Sequence, residues 1–253
     1  MARTIIISDL HIDKWHDRSR EEAFSHFLSY VKANANRLII NGDILDFPPI
    51  DGEELSSRDK RILGELLTLP IFGVEVVYIP GNHDIALRGL PFSLQRIRLV
   101  YPRFVFQAGP KKVYVEHGHY YDPLFNGMYD ILDGLKKMTG YDLGKIAVDW
   151  WKATTRFLQR AKREGKTNEV GVSDSVLFAR WEAQAEQLHS KDGYDYVVFG
   201  HTHHPQSPSS SESYYINTGD WVDHSTVTEF DEQGCVRQFD WLAEGMRQAA
   251  PAR

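Results

Sequence analysis

Residues 76–84 read Val76-Val77-Tyr78-Ile79-Pro80-Gly81-Asn82-His83-Asp84: four apolar positions, a turn, then three side chains that can hold a metal or move a proton. The same grammar occurs five times. Ile5-Ile6-Ile7 runs into Ser8-Asp9-Leu10-His11, and Leu38-Ile39-Ile40 into Asn41-Gly42-Asp43 with Asp46 beyond. Val113-Tyr114-Val115 runs into Glu116-His117-Gly118-His119, and Val197-Val198-Phe199 into Gly200-His201-Thr202-His203. Near-continuous β-branched runs of this length predict strands buried on both faces. A glycine following four of the runs lets the backbone turn sharply and come close to a ligand.

Between the first three runs, Ala23, Phe24, Phe27, Leu28 and Val31 recur at helical spacing, as do Ile62, Leu63, Leu66 and Leu67. Strands alternating with helices predict a layered βαβ fold. Folds of that kind carry their chemistry at the carboxyl ends of the strands, where all five clusters fall. Beyond His203, Pro205 to Ser213 reads as a loop, and Ser213–Asn217, Ser225–Phe230 and Val236–Trp241 read as strands. Residues from about Ala243 onward are expected to form a loose tail.

The stretch from Tyr120 to Asp192 is too long for a plain connection. Phe125, Met128, Ile131, Leu132 and Leu135 suit one helix, and Ile146, Ala147, Trp150, Thr154, Phe157 and Leu158 a second. Val176, Leu177, Arg180, Trp181 and Leu188 suit a third. From Tyr120 to Val170 nine Lys/Arg stand against seven Asp/Glu, so this piece is basic in a chain of net charge -6. Arg156, Arg160, Lys162, Arg163 and Lys166 form its most basic run. A helical insertion covering the strand ends is the expectation.

Composition excludes several classes. The 253 residues suffice for one large domain, or a domain with an insertion, and not for three. The acidic balance argues against a protein that coats nucleic acid. A single cysteine, Cys235, excludes an intramolecular disulfide framework and any cysteine-rich zinc module. Met1-Ala2-Arg3-Thr4 and three isoleucines do not make a secretory signal, and no run approaches the roughly twenty apolar residues of a membrane span. A soluble, cytoplasmic protein is expected.

Asp9, His11, Asp43, Asn82, His117, His201 and His203 are seven oxygen or nitrogen donors at strand ends. Seven exceed one tetrahedral zinc, and the set is too histidine-rich for calcium or magnesium alone. Two transition-type divalent ions sharing a carboxylate fit it. Asp9-x-His11 and His201-x-His203 would each place two donors on one side of a short extended segment. Each piece alone is weak, because a Gly-Asp pair is usually a turn and a solitary histidine usually an ordinary polar residue. His16, His26, His189 and His224 are read as such. The ordered set of five is not accidental.

Taken together, Asp9-x-His11, Gly42-Asp43-x-x-Asp46, Gly81-Asn82-His83-Asp84, His117-Gly118 and Gly200-His201-x-His203 resemble the five motifs of the calcineurin-like metallophosphoesterases, in that family's order from residue 9 to residue 203. The resemblance implies an α/β fold, a four-layer αββα sandwich. The core would take residues 1–119 and 193–245, a helical lid 120–192 and a tail 246–253. By carry-over Asp9, His11 and His203 would hold one metal and Asn82, His117 and His201 the other, with Asp43 bridging. His83 would stand beside the metals as an acid or phosphate-contacting group, oriented by Asp46. Manganese is implied, with iron and zinc compatible with the donors. Hydrolysis of a P–O bond by metal-activated hydroxide follows from such a site. No Gly-x-Ser-x-Gly elbow, P-loop or dinucleotide fingerprint competes with that reading.

Phe47, where protein Ser/Thr phosphatases have Arg, points away from that class. Asn217-Thr218-Gly219-Asp220-Trp221-Val222 and the insertion look more like the bacterial UDP-2,3-diacylglucosamine pyrophosphohydrolases of lipid A synthesis. In those enzymes the lid holds acyl chains, a role that Phe125, Met128, Trp150, Trp151 and Phe157 would fit here. The best-known members carry Arg in place of His83 and Glu in place of Asp46. The expected partner is a phosphorylated small molecule or lipid-linked nucleotide, with peripheral membrane contact through the basic lid and no nucleic acid. Alternatives are a small-molecule phosphodiesterase or phosphatase, or a non-catalytic scaffold of the same fold. His119 and His204 are expected to support ligands or face substrate, and Asp220 and Trp221 are open candidates for lining the site.

Overall fold

The computed structural model describes residues 3–15, 17–45, 56–85, 87, 93–94, 97–122, 174–208 and 213–246. Ile5-Ile6-Ile7 forms the centre of it, in β1 (Thr4–Ile7). The strand is buried on both faces: Ile5 and Ile7 point into one apolar cluster and Ile6 into another. β2 (Arg37–Asn41) and β3 (Glu75–Ile79) pair parallel to it in turn and divide their side chains the same way.

Two compact units are present, residues 1–118 with 185–253, and residues 119–184. The larger unit holds two sheets. The first has seven strands in the order β11-β10-β1-β2-β3-β5-β4, with β4 (Ser93–Leu94), β5 (Ile97–Leu99), β10 (Thr226–Phe230) and β11 (Val236–Asp240). The second runs β6-β7-β8-β9, from β6 (Arg103–Ala108) and β7 (Lys111–Glu116) to β8 (Tyr196–Phe199) and β9 (Tyr215–Asn217). Ile6, Ile39, Val77 and Ile79 of the first sheet share a core with Phe104, Phe106, Val113, Val115, Val198 and Ile216 of the second. The two sheets therefore pack face to face.

Helices α1 (Arg18–Asn34) and α2 (Ser57–Thr68) cover the other face of the first sheet. Asp17 caps α1 by accepting from Ser19 N, and α2 opens on a capping box between Ser56 and Asp59. Buried Phe24 and Phe27 of α1 meet Trp221 at 4.9 and 5.0 Å between ring centroids. Helix α3 (Asp174–Asp192) ends beside the second sheet, where His189 stacks on Tyr214 at 4.3 Å. The layered α/β fold is as expected.

Three differences have physical causes. Strands β4, β5 and β6 were not foreseen; β6 holds the apolar run Phe104-Val105-Phe106, but only Phe104, Phe106 and Ala108 face inward and the run leads into Gly109-Pro110 with no metal donor after it. Ala243–Gly245 is not loose tail but part of a π-helical turn at Trp241–Gly245. Trp241, fully buried, anchors it by donating Nε1–H to the Ala23 carbonyl at 2.9 Å. Finally, β1 stops at Ile7 and β8 at Phe199, so neither Asp9-x-His11 nor His201-x-His203 is extended. All four residues have positive φ, 52°, 40°, 67° and 60°. Successive left-handed turns, not strand alternation, gather their side chains.

Candidate metal centre

The carboxyl ends of β1, β2, β3, β7 and β8 converge, so each of the five clusters arrives on its own loop. The first sheet brings Asp9, His11, Asp43, Asn82 and His83; the second brings His117, His201 and His203. Asp9, His11, Asp43 and His117 are buried, and so is Asn82.

The contacts cross the seam between the sheets. Asp43 Oδ2 stands 3.3 Å from His117 Nε2 and 4.0 Å from both His11 Nε2 and His83 Nε2. Asp9 Oδ1 stands 3.3 Å from His203 Nε2. Asn82 Oδ1 lies 3.2 Å from His117 Nε2 and 2.8 Å from His201 Nδ1. All seven sequence-expected ligands, with His83, are thus brought together. Asp46 lies outside the described residues, as do His16 and the residues expected to line a lid, Phe125, Met128, Trp150, Trp151 and Phe157.

Local structure explains the convergence. Gly42 takes φ 90°, a left-handed conformation that costs glycine little. Gly81 is needed for space, because a Cβ there would overlap Asp43 Oδ1 and lie 2.8 Å from His117 Nε2. His117 is oriented from behind, its Nδ1–H donating to the Asn41 carbonyl at 2.7 Å, which leaves Nε2 for the cluster. Backbone N–H groups of His83 and His201 donate to Asp43 Oδ1 at 3.0 Å and to Asp9 Oδ2 at 3.1 Å.

Each carboxylate has a different electrostatic position. Burial would raise Asp9 and Asp43, but the surrounding histidines outweigh it: His203 and His117 hold Asp9 low, and His117 and His83 hold Asp43 well below the carboxylate range. The same pairs act in reverse on the imidazoles. Burial would lower His117, yet Asp43 and Asp9 raise it to about 10; Asp9 and Asp220 likewise raise His203 to about 10 against its burial. Asp9 Oδ1 is buried and accepts no hydrogen bond. Buried carboxylates facing several imidazoles with a lone pair unused are costly unless cations neutralise them. Oxygen and nitrogen donors in this mixture suit divalent transition-type ions.

Two acids gain roles that the motifs did not reveal. Asp84 Oδ1 accepts from Gly81 N at 2.6 Å, and its Oδ2 accepts from Ile44 N at 2.9 Å and from the Tyr78 hydroxyl. It ties the loop bearing Asp43 to the loop bearing Asn82. Burial first, and then Asp43, raise Asp84 to about 6. Asp220 meets His203 Nδ1 at 3.0 Å. His224, read as an ordinary polar residue, also reaches Asp220 Oδ2, at 3.4 Å. His204 is exposed, with Nδ1 3.1 Å from the Thr202 carbonyl oxygen. His119 falls in the smaller unit, buried and 4.4 Å from the Tyr120 ring. Trp221 is buried in the aromatic core and does not line the site.

The chain matches the calcineurin-like phosphoesterase family model over residues 2–205. It belongs to that family, and is a metal-dependent hydrolase of phosphoric esters. Among curated proteins, UDP-2,3-diacylglucosamine hydrolase of Histophilus somni (strain 2336) is 25% identical over 240 residues, covering 92% of this chain and 98% of that protein. The protein of the same name from Neisseria gonorrhoeae is 23% identical over 239 residues, covering 93% and 97%. An archaeal phosphodiesterase of solved structure aligns at 14% identity and a TM-score of 0.45, covering 94% of this chain and 99% of that one. No helix among the described residues is long and apolar enough to cross a membrane.

Proposed function

We propose that the chain holds two divalent ions, manganese by preference, and hydrolyses the pyrophosphate of UDP-2,3-diacylglucosamine or a closely related lipid-linked nucleotide. The observation that carries the two-ion reading is Asp43. One of its oxygens is within 4.0 Å of imidazole nitrogens of His11, His83 and His117, beside an Asp9/His11/His203 group and the contacts that Asn82 makes with His117 and His201. A carboxylate placed between two donor groups suits a bridging ligand. Full-length relatives that share one name support the substrate.

Ions held by these seven residues would supply Lewis acidity for the phosphoryl oxygens and an activated water for attack on phosphorus. The remaining work falls to the chain. Asp43 is held in place by the His83 N–H, and Asp84 ties together the loops bearing Asp43 and Asn82. His83, 22% exposed at its side chain, can contact a phosphoryl oxygen or give its proton to the leaving oxygen, an effect of about 10²–10⁴-fold. Asp46 is proposed to orient His83, and residues 120–192 to receive the acyl chains at a membrane surface; both rest on the sequence. A cytoplasmic location belongs to the same proposal.

The test is hydrolysis of bis-p-nitrophenyl phosphate against p-nitrophenyl phosphate by metal-stripped protein refilled with Mn²⁺, with Asp43→Ala as the blank. Metal-dependent cleavage of the diester, absent in the variant, is expected, followed by cleavage of UDP-2,3-diacylglucosamine at the pyrophosphate. Preference for the monoester would replace this substrate with a phosphatase reading. His83 stands where the best-known lipid enzymes have Arg, which makes a small-molecule phosphodiester the second substrate to assay.

A further inference from the structure

Asn217-Thr218-Gly219-Asp220, at the end of β9, contributes none of the seven expected ligands, yet Asn217, Thr218 and Asp220 each reach a loop that does. Asn217 Nδ2 donates to the Gly200 carbonyl and to Thr202 Oγ1, each at 3.0 Å, on the two sides of His201. Thr218 Oγ1 is 2.6 Å from Ser8 Oγ, beside Asp9. Asp220 is fully buried and splits its two oxygens between two tasks. Oδ1 accepts from the backbone N–H groups of Val222, Asp223 and His224 at 3.1, 2.8 and 2.9 Å. Oδ2 faces His203 Nδ1 at 3.0 Å, with His224 Nδ1 at 3.4 Å.

From this geometry we propose that Asp220 is the positioning residue for His203, holding its ring with Nδ1–H toward the carboxylate and Nε2 toward Asp9 and the metal pocket. The inference rests on the metal-centre reading above. A carboxylate behind a ligating imidazole selects the tautomer, fixes the ring plane and increases the basicity of the ligating nitrogen. Because Oδ1 alone carries the turn 222–224, the two tasks can be separated by substitution. Asp220→Asn keeps an oxygen for the turn. It presents an amide N–H to His203 Nδ1, which moves the imidazole proton to Nε2, where a metal must bind.

The experiment is equilibrium dialysis of metal-stripped wild type and Asp220→Asn against Mn²⁺, with thermal melting of both metal-free proteins. One of two sites is expected to weaken roughly 10–100-fold in the variant, the other to be unchanged, and the metal-free melting temperatures to agree. Two wild-type sites in Asp220→Asn would overturn the inference, as would equal weakening of both sites in step with a lower melting temperature. Failure of the wild type to bind Mn²⁺ would remove the metal centre itself and this inference with it. Should Asp220→Asn not fold, ring ¹⁵N shifts of Zn²⁺-loaded wild type, with His203 assigned by its loss in His203→Gln, decide the matter. A protonated Nδ1 supports the inference and a protonated Nε2 overturns it.

Discussion

Five of the seven expected ligands, Asp9, His11, Asp43, His201 and His203, sit on backbone with positive φ. Non-glycine residues adopt that region seldom, and each costs on the order of 1–3 kcal/mol unless its surroundings impose it. Of the six described non-glycine residues with positive φ, only Ser225 lies outside the loops where donors must converge. Gly81 is the counterpart, a position where a side chain is forbidden so that Asp43 and His117 can approach. Gly81→Ala is therefore expected to cost roughly 1–3 kcal/mol in the metal-free protein through overpacking, and to weaken Mn²⁺ binding besides. Urea denaturation and equilibrium dialysis measure the two effects separately.

Protonation follows from the same contacts. In the metal-free protein His117 and His203 are raised to about 10, above the ordinary 6.5, so both are charged at pH 7. Their contribution to stability of the metal-free fold is complete below about pH 6.5 and is lost as pH rises through about 10. A ligating imidazole is neutral, so metal uptake at pH 7 must release protons and tighten as pH rises. Calorimetry of Mn²⁺ binding in two buffers of different ionisation enthalpy should show that release; identical heats would refute it.

At the scale of elements, runs of three or four apolar residues, rich in Val and Ile, predict five strands, and all five are present. Helix α2 begins at Ser56, where its side chain accepts from Asp59 N at 3.1 Å and Asp59 Oδ2 accepts from Ser56 N at 3.2 Å. Ser56→Ala is expected to cost about 1 kcal/mol, read as a lower urea midpoint with an unchanged slope. What escaped notice at this scale is equally instructive. β6 carries the apolar run Phe104-Val105-Phe106 but buries only alternate residues, Phe104, Phe106 and Ala108, and leads into a plain Gly109-Pro110 turn. Apolar runs that end on metal donors mark the strands of the site; a run with one wet face that leads into a plain turn carries no such mark. The spacing of Asp9-x-His11 and His201-x-His203 is the same for an extended segment as for left-handed residues two apart, so it does not by itself reveal their backbone.

At the scale of the whole molecule, the candidate metal centre forms only where the two sheets meet. Asp43 and Asp9 come from the first sheet, and their nearest imidazoles, His117 and His203, from the second. Phe106, set edge-on to Phe230 at 5.8 Å, helps hold the sheets together. Phe106→Ala is expected to cost about 3–5 kcal/mol and to reduce Mn²⁺ affinity although it touches no ligand. Conversely, Mn²⁺ at a hundred times its Kd should stabilise the core by about 2.7 kcal/mol for each ion bound, a rise in melting temperature of roughly 5–10 °C per ion. Scanning calorimetry with and without Mn²⁺ tests this, and a metal-independent transition would sink it.

The residue types at the site were legible from the chain alone, because five clusters of possible metal donors each follow an apolar run, four of them with a glycine at the turn. So were the strands that end on them, since apolar runs of that length have few other ways to be buried. The pairing of donors across the seam, the turns that aim them, and the acids Asp84 and Asp220 behind them were decided only by tertiary structure. Those residues act through hydrogen bonds to groups brought near by the packing of two sheets. Asp220 is 17 residues from His203 and Asp84 is 40 from Ile44. Local spacing carries no record of such contacts. They come into being only when the sheets close on each other.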